Sequence, residues 1–160
     1  MRTVGIILII ASSYLFARVL NRESAEKTNE LYSLVSFLRY AYERGSCFFE
    51  PPLVTAESFS DPYLEGTGFL PSLRSGQGMT AAVSELLWKL DLEDGERTEL
   101  RTLAEGLVTS SLDGYLRGLS ALTSSAEKIY LERAERKDKR SRAVKISAVS
   151  AGLGLAILLV

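Results

Sequence analysis

The sequence predicts an all-α protein in which a helical bundle lies between an N-terminal and a C-terminal transmembrane helix. Three observations lead to this fold class. Apolar residues in the middle of the chain recur at helical spacing, no segment shows sustained strand alternation, and both ends contain an uncharged stretch, Thr3–Ala17 and Ile146–Val160. The 160 residues leave room for one ordinary domain between the two spans.

The composition narrows the chemistry that the chain can perform. The sequence contains one cysteine, Cys47, and no histidine. Ser-His-Asp and Cys-His catalysis are therefore excluded, as are an internal disulfide and any multi-cysteine zinc site. The pairs Gly66-x-Gly68 and Gly76-x-Gly78 lack the Gly-Lys-Ser/Thr of a phosphate-binding loop. We therefore expect a protein that is not an enzyme and that has no cofactor and no bound metal.

The first element, residues 1–20, is predicted to be a transmembrane helix. A bilayer requires about 20 apolar residues, with about 17 as the lower limit. The segment reaches that length if the Arg18 side chain extends to the headgroups. A cleavable signal peptide is the alternative, because Ala11 and Ser13 are small residues at a suitable spacing.

Residues 21–128 are predicted to form the helical bundle on the cytoplasmic side. One face of its first helix carries apolar residues at the i, i+3, i+4, i+7 and i+11 positions, namely Leu31, Leu34, Val35, Leu38 and Tyr42. Gly45 is expected to end this helix. Two short helices are predicted to begin at prolines, one at Pro51-Pro52 and one at Asp61-Pro62.

Three further helices complete the predicted bundle. They begin at Met79, at a cap provided by Asp91 or Asp94, and at a cap provided by Asp113. Their inward faces are predicted to be Val83, Leu86, Leu87 and Leu90 in the first, Leu100, Leu103 and Leu107 in the second, and Tyr115, Leu119, Leu122, Ala126 and Ile129 in the third. Between Gly118 and Gly152 no proline or glycine occurs, so the last helix is expected to continue from the bundle into the membrane.

Residues 129–145 form a basic juxtamembrane stalk with seven Lys and Arg against three acids. The positive-inside rule places the loop between the spans in the cytoplasm and both termini across the membrane. Contact with anionic lipid is the expected role of this stalk, and a nucleic-acid-binding stripe is the less favoured alternative. The topology and lipid residues are Arg136, Lys137, Lys139, Arg140, Arg142 and Lys145.

Residues 146–160 are predicted to be the second transmembrane helix. Small residues occur in it at four-residue spacing, which lets two helices approach closely. The pairs are Ala148 with Gly152 and Ser150 with Gly154. These four positions predict helix packing in the membrane and a possible homo-oligomer, while a lipid-facing helix with incidental small residues is the alternative.

The bundle is acidic although the whole chain carries a net charge of only −1. Between Asn21 and Lys128 there are ten Lys and Arg against seventeen Asp and Glu, a balance of −7. Such a body repels anionic lipid and nucleic acid and favours a protein partner with a basic face. We predict that this partner binds an acidic face formed by Glu93, Glu96 and Glu99. A divalent cation bound by the Asp91–Glu99 acids is less favoured than their interaction with a helix dipole.

The remaining candidate residues have structural interpretations. Cys47, beside two phenylalanines, is expected to be a small core residue. The aromatic residues Phe59, Tyr63, Phe69 and Trp88 are expected in the core rather than on a partner-binding surface. A carboxylate pair formed by Glu105 and Asp113 is the alternative that would favour acid–base chemistry.

The order of these pieces resembles the stage III sporulation protein AB family of endospore-forming bacteria. That family is itself similar to the cytoplasmic domain of the type II secretion inner-membrane platform protein. The resemblance rests on the order of the N-terminal span, the helix Leu31–Arg44, the proline-initiated segment Pro52–Phe59, the segment Gly76–Val83, Trp88, the acid-capped helix ending at Leu107, the Asp113 helix, the charged stalk and the C-terminal span.

The resemblance implies a structural subunit of the transenvelope channel that joins the mother cell and the forespore. It implies a multi-pass location in the mother-cell membrane around the forespore, with other channel subunits and a secretion-type ATPase as partners. Two alternatives remain. One is a platform subunit of a secretion or pilus system outside sporulation, and the other, less favoured, is a membrane-surface enzyme that uses a carboxylate pair.

Overall fold

The computed structural model describes residues 15, 29–107 and 111–158, without the side chains of residues 140, 145, 148, 149 and 151–158. Every regular element in this part of the chain is a helix, so the predicted all-α class is confirmed. The helices are α1 (29–48), α2 (Pro52–Ser58), α3 (Pro62–Gly66), α4 (Phe69–Arg74), α5 (Met79–Lys89), α6 (Asp94–Glu105) and α7 (Leu112–Leu158).

The two predicted proline starts are both present. Pro52 is the first residue of α2 and Pro62 the first residue of α3, positions where a missing backbone N–H costs nothing. The carboxylate of Asp61 caps α3 by accepting hydrogen bonds from the backbone N–H groups of Tyr63 and Leu64, at 3.0 and 2.9 Å. Its second oxygen accepts a hydrogen bond from the Ser33 hydroxyl at 2.9 Å, which joins α3 to α1.

The residues Asn29–Leu131 form one compact unit. Phe37 of α1 is fully buried in it and packs edge-to-face on Phe59 and Phe69, with ring centroids 5.3 and 5.1 Å apart. Helix α4 packs against α2, α3 and α5, and α5 packs against α6. The largest fully buried side chains are Phe37, Leu31, Leu34, Leu38, Leu64, Leu70, Leu73, Leu86, Leu87, Leu100, Leu119 and Leu122.

The first part of α7 completes the core of this unit. Leu119, Leu122, Ala126 and Ile129 are buried, which confirms four of the five positions predicted for its inward face. Polar pairs link α7 to its neighbours within the same unit. Arg39 of α1 pairs with Glu127, and the Ser125 hydroxyl donates a hydrogen bond to Glu99 of α6 at 2.6 Å.

Three predicted helix boundaries are wrong. Helix α1 continues past Gly45 to residue 48. A Cβ at Gly45 would lie 3.1 Å from Leu116 Cδ2, so this glycine provides room for α7 rather than a helix end. Helix α6 is capped by Glu93, not by Asp91 or Asp94. Helix α7 begins at Leu112 because the Ser111 hydroxyl, not Asp113, accepts the hydrogen bond from the backbone N–H of Gly114, at 3.1 Å.

Three residues predicted for the core or for an apolar helix face lie at the surface. Cys47 is exposed, the Trp88 side chain is 68% exposed, and Tyr42, predicted on the apolar face of α1, is also exposed. Cys47 lies in the last turn of α1, where the face pattern of the helix no longer determines burial. Of the other three aromatic residues, Phe69 is buried, and Phe59 and Tyr63 are partly buried against the core as predicted.

The part of α7 from Glu132 onward belongs to a second unit. The helix has no break between Leu112 and Leu158, as the sequence predicts. Among the described residues, no helix combines the length and the apolar character that crossing a membrane requires. The span predicted over residues 1–20 lies outside the described residues except for Leu15, and most side chains of the span over residues 146–160 also lie outside them. Both spans remain predictions.

Candidate interaction surfaces

The predicted acidic face lies at the start of α6. The Glu96 carboxylate accepts a hydrogen bond from the backbone N–H of Glu93 at 2.9 Å, and the Glu93 side chain accepts one in return from the Glu96 backbone. The two residues therefore form a capping box, which satisfies backbone donors that the helix start leaves unpaired. Glu99 lies one turn further along and is the acceptor for Ser125.

These contacts give all three acids a role in the fold. Glu93 and Glu99 remain exposed and Glu96 is half-buried, so the helix start still presents negative charge to solvent. Within the described residues, no group of three or more Asp, Glu, Cys or His side chains is arranged to hold a metal ion. The structure also places the two carboxylates of the alternative catalytic pair in separate settings. Glu105 accepts a hydrogen bond from Arg101 at 2.9 Å, and Asp113 is exposed in the first turn of α7.

The stalk residues form part of α7. Each of the three acids of this segment pairs with a cation four residues later, and this order of acid and cation supports a helix. The pairs are Glu132–Arg136 at 3.4 Å, Glu135–Lys139 at 2.8 Å and Asp138–Arg142 at 3.2 Å. The hydrogen bond from Lys139 lowers the pKa of Glu135. Because the stalk has seven Lys and Arg and only three acids, it keeps a net positive charge after these three ion pairs have formed.

Most of the side chains predicted to pack in the membrane lie outside the described residues. This applies to Ala148, Gly152 and Gly154, while Ser150 is described and exposed. The side chains of Arg140 and Lys145 also lie outside the description.

An exposed apolar surface that the sequence pattern does not predict lies where α1 meets α2. We call it the corner surface, formed by Phe48, Phe49, Leu53 and Val54. Phe48 and Phe49 are 64% and 72% exposed, and the other two are also exposed large apolar residues. A signal was present, because two adjacent phenylalanines lie directly before Glu-Pro-Pro, where the chain must leave the helix.

The backbone of Phe49 adopts a left-handed conformation, with φ of 55°. Among the described residues, Phe49 alone has a positive φ without being glycine. This conformation ends α1 and turns the chain toward α2, with the backbone N–H of Glu50 hydrogen-bonded to the Arg44 carbonyl at 3.4 Å. Glycine is the usual residue at such a helix end, because its lack of a Cβ removes the steric cost.

A polar network holds the same corner. The Arg44 guanidinium lies 3.6 Å from a Glu50 carboxylate oxygen and donates a hydrogen bond to the Tyr40 hydroxyl at 3.1 Å. It also lies over the Phe48 ring, 5.3 Å from the centroid. The Tyr40 hydroxyl is in turn 3.1 Å from the Ser58 hydroxyl of α2, and hydrogen bonds with Ser58 and Arg44 lower the pKa of Tyr40. The corner is thus held by specific contacts while its apolar side chains point outward.

Two shallow grooves lie elsewhere on the compact unit. One, of about 230 Å³, lies between α5 and α6 beside Trp88, whose ring is covered by the Arg97 guanidinium at 5.4 Å. Arg97 also donates hydrogen bonds to the carbonyls of Leu87 and Leu92, so the fold already uses this cation. The other groove, of about 450 Å³, lies between α1 and α7 and is lined by Tyr42, Asp113, Leu116, Arg117 and Ser120.

Comparison of the chain with protein-family models, with curated proteins and with solved structures finds no match.

Proposed function

We propose that the chain is a non-enzymatic, membrane-embedded structural subunit of a transenvelope channel between mother cell and forespore, and that it serves as a platform for a partner ATPase. The observation that carries the proposal is the continuity of α7. One helix contributes Leu119 and Leu122 to the core of the bundle and continues without a break through the basic stalk into the uncharged C-terminal stretch.

The charge distribution supports an attachment of this kind. The stalk pairs its three acids within the helix and keeps an excess of Lys and Arg. That excess favours the headgroups of anionic lipid and retention on the cytoplasmic side. The bundle has the opposite balance, so its own surface favours a basic protein partner over the lipid.

The resemblance of the sequence to the stage III sporulation protein AB family supports the sporulation role, because it covers nearly the whole chain. The resemblance extends over the platform-like helical bundle and the two flanking transmembrane spans. The proposed architecture takes both spans from the sequence. A platform subunit of a secretion or pilus system outside sporulation uses the same architecture, so the two proposals differ in the phenotype of a deletion. Loss of spore formation favours the first, and normal spores with a secretion or pilus defect favour the second.

The single exposed cysteine gives a direct test of the topology. When the chain is expressed in vegetative cells, so that it lies in the plasma membrane, an impermeant thiol reagent added to intact cells should leave Cys47 unlabelled, and the same reagent should label it after the membrane is permeabilised. In a Cys47→Ser background, an Arg2→Cys variant is the matched control and should be labelled without permeabilisation. Labelling of Cys47 in intact cells would contradict the proposed cytoplasmic bundle.

A further inference from the structure

We propose that the corner surface is the docking site for a helix of a partner protein, and that this helix presents an apolar stripe flanked by Lys and Arg. The proposal rests on the proposed assembly function and deepens it, because it assigns the contact face and the chemistry of the partner. It also moves the main contact away from the acidic start of α6, where the carboxylates serve the fold.

The backbone of Phe49 supports an external contact at the corner surface. A left-handed conformation costs free energy in any residue that carries a Cβ, and glycine would avoid that cost. The Phe49 side chain is 72% exposed, so packing within the described chain returns little in exchange. Backbone strain that no internal packing offsets is expected at residues whose side chains contact a binding partner.

The charge around the corner is negative. The sequence has no Lys or Arg between Arg44 and Arg74, whereas it has Glu50, Glu57, Asp61 and Glu65 in that interval. Arg44 pairs with Glu50, and Arg74 binds Glu65 at 2.7 Å and donates hydrogen bonds to the Ala56 and Phe59 carbonyls. Each of these ion pairs cancels one acid, so the interval from Arg44 to Arg74 keeps a net charge of −2. This excess of acid favours a basic partner over anionic lipid.

The placement of the apolar and acidic side chains fits a helical partner. Leu53 and Val54 are adjacent and exposed on α2, and Glu57 follows one turn later on the same side as Leu53. Glu43 is exposed on α1, one turn before Cys47 and five residues before Phe48. Four exposed apolar side chains with an exposed acid on each of the two helices suit one helix that lies with its apolar stripe on the corner and its cations toward those acids.

The test uses the full chain in nanodiscs of zwitterionic lipid and a synthetic helical probe. The probe is a peptide of about 18 residues, about five turns, with Leu along one face and Lys elsewhere. We expect the wild-type chain to bind it, and a Phe48→Ser/Phe49→Ser variant to bind it roughly tenfold or more weakly. Leu131→Ser, which changes an exposed apolar residue away from the corner, is the matched control and should retain wild-type affinity.

Two probe controls separate the apolar from the charged contribution. A peptide with Ser in place of Leu has the same charge and should bind at least tenfold more weakly. A Glu43→Gln/Glu57→Gln variant should weaken binding of the original probe and reduce its dependence on salt concentration. Equal binding of the probe by wild type and by Phe48→Ser/Phe49→Ser would overturn the proposal.

A glycine variant separates lost contact from lost folding. Phe49→Gly should raise the melting temperature, because glycine relieves the left-handed strain, and it should still weaken probe binding. A variant that melts lower and binds less would overturn the strain argument. Two other occupants would also overturn the proposal. Phe49-dependent binding to vesicles of anionic lipid would indicate a membrane contact, and Phe49-dependent self-association would indicate a second copy of the chain.

Complementation in cells distinguishes failure of this proposal from failure of the proposed function. If deletion of the gene leaves spore formation intact, the sporulation function fails, whatever the probe does. If deletion blocks spore formation and the Phe48→Ser/Phe49→Ser variant restores it fully at normal abundance, the docking proposal fails and the function stands. We expect a sporulation defect on deletion, restoration by Leu131→Ser, and no restoration by the double serine variant.

Discussion

The carboxylate of Asp61 connects two parts of the bundle, and its removal tests that connection. One oxygen caps α3 and the other accepts the hydrogen bond from Ser33 of α1. Asp61→Ala removes both interactions at once. Asp61→Asn keeps an oxygen for the cap and a polar group beside Ser33, so it is the matched control.

The expected loss follows from the two contacts. Removal of a helix cap costs about 1 kcal/mol. Ser33 is buried, and a buried hydroxyl left without its partner adds about 1–2 kcal/mol. Asp61→Ala should therefore lower the free energy of unfolding by about 2–3 kcal/mol. In a Ser33→Ala background the hydroxyl is already absent, so the same change should cost about 1–2 kcal/mol less.

The assay is urea unfolding of the full chain in detergent micelles, followed by circular dichroism at neutral pH. Wild type, the two single alanine variants and the double variant form a thermodynamic cycle, and Asp61→Asn should lose less stability than Asp61→Ala. Two results would refute the reasoning. One is a loss below about 0.5 kcal/mol for Asp61→Ala, which would mean that the cap contributes less than caps usually do. The other is full additivity of the two alanine substitutions, which would mean that Asp61 and Ser33 do not interact.

Three further predictions concern the same compact unit. Phe49→Gly should raise the free energy of unfolding by about 0.5–1 kcal/mol. It relieves about 1–2 kcal/mol of left-handed strain, which exceeds the free-energy cost of the greater entropy of glycine in the unfolded chain. A lower free energy of unfolding, measured with urea, would contradict this. Leu119→Ala should lower the unfolding free energy by about 2–5 kcal/mol because it leaves a cavity in a fully buried site, whereas Leu131→Ala at an exposed site of the same helix should change little. Burial raises the pKa of Tyr115 to about 12 from an ordinary value of 10.0, and the described residues give its hydroxyl no hydrogen-bond partner. Since the fold holds the phenol in its neutral form, the Tyr115 contribution to the free energy of unfolding should be constant below about pH 10 and fall by about 2–3 kcal/mol as the pH rises toward 12. Tyr115→Phe should remove this loss at alkaline pH. If the variant and the wild type show the same pH dependence of the unfolding free energy, Tyr115 does not contribute in this way.

The sequence predicted features that depend on local chemistry. Pro52 and Pro62 begin helices because their rings fix φ at a helical value. Asp61 caps α3 because its short side chain brings the carboxylate to the free backbone N–H groups at the helix start. The buried faces of α5 and α7 follow from apolar residues three and four apart, and this spacing does not depend on where the neighbouring helices lie.

Some of the missed features depend on contacts between distant parts of the chain, and others on a choice among several local caps. Gly45 resembles a helix end in the sequence, but its role is to admit Leu116, a residue 71 positions later. The caps at Glu93 and Ser111 displaced the expected aspartates because several polar residues at each helix start are suitable caps. Phe49 and Trp88 belong to residue types that usually lie in a core, but the fold places both at the surface. The corner surface was missed for this reason.

The lengths of α2, α3 and α4 have a consequence for the order of folding. With seven, five and six residues, each is far below the length at which an isolated helix is stable in water, about 12–15 residues. These three helices therefore depend on longer helices such as α1, which presents Phe37 as a preformed apolar surface. During refolding, protection of backbone amides from exchange should develop in α1 and α7 before it develops between Pro52 and Arg74. On this order of events, α2 and its apolar residues become structured only after the longer helices have assembled.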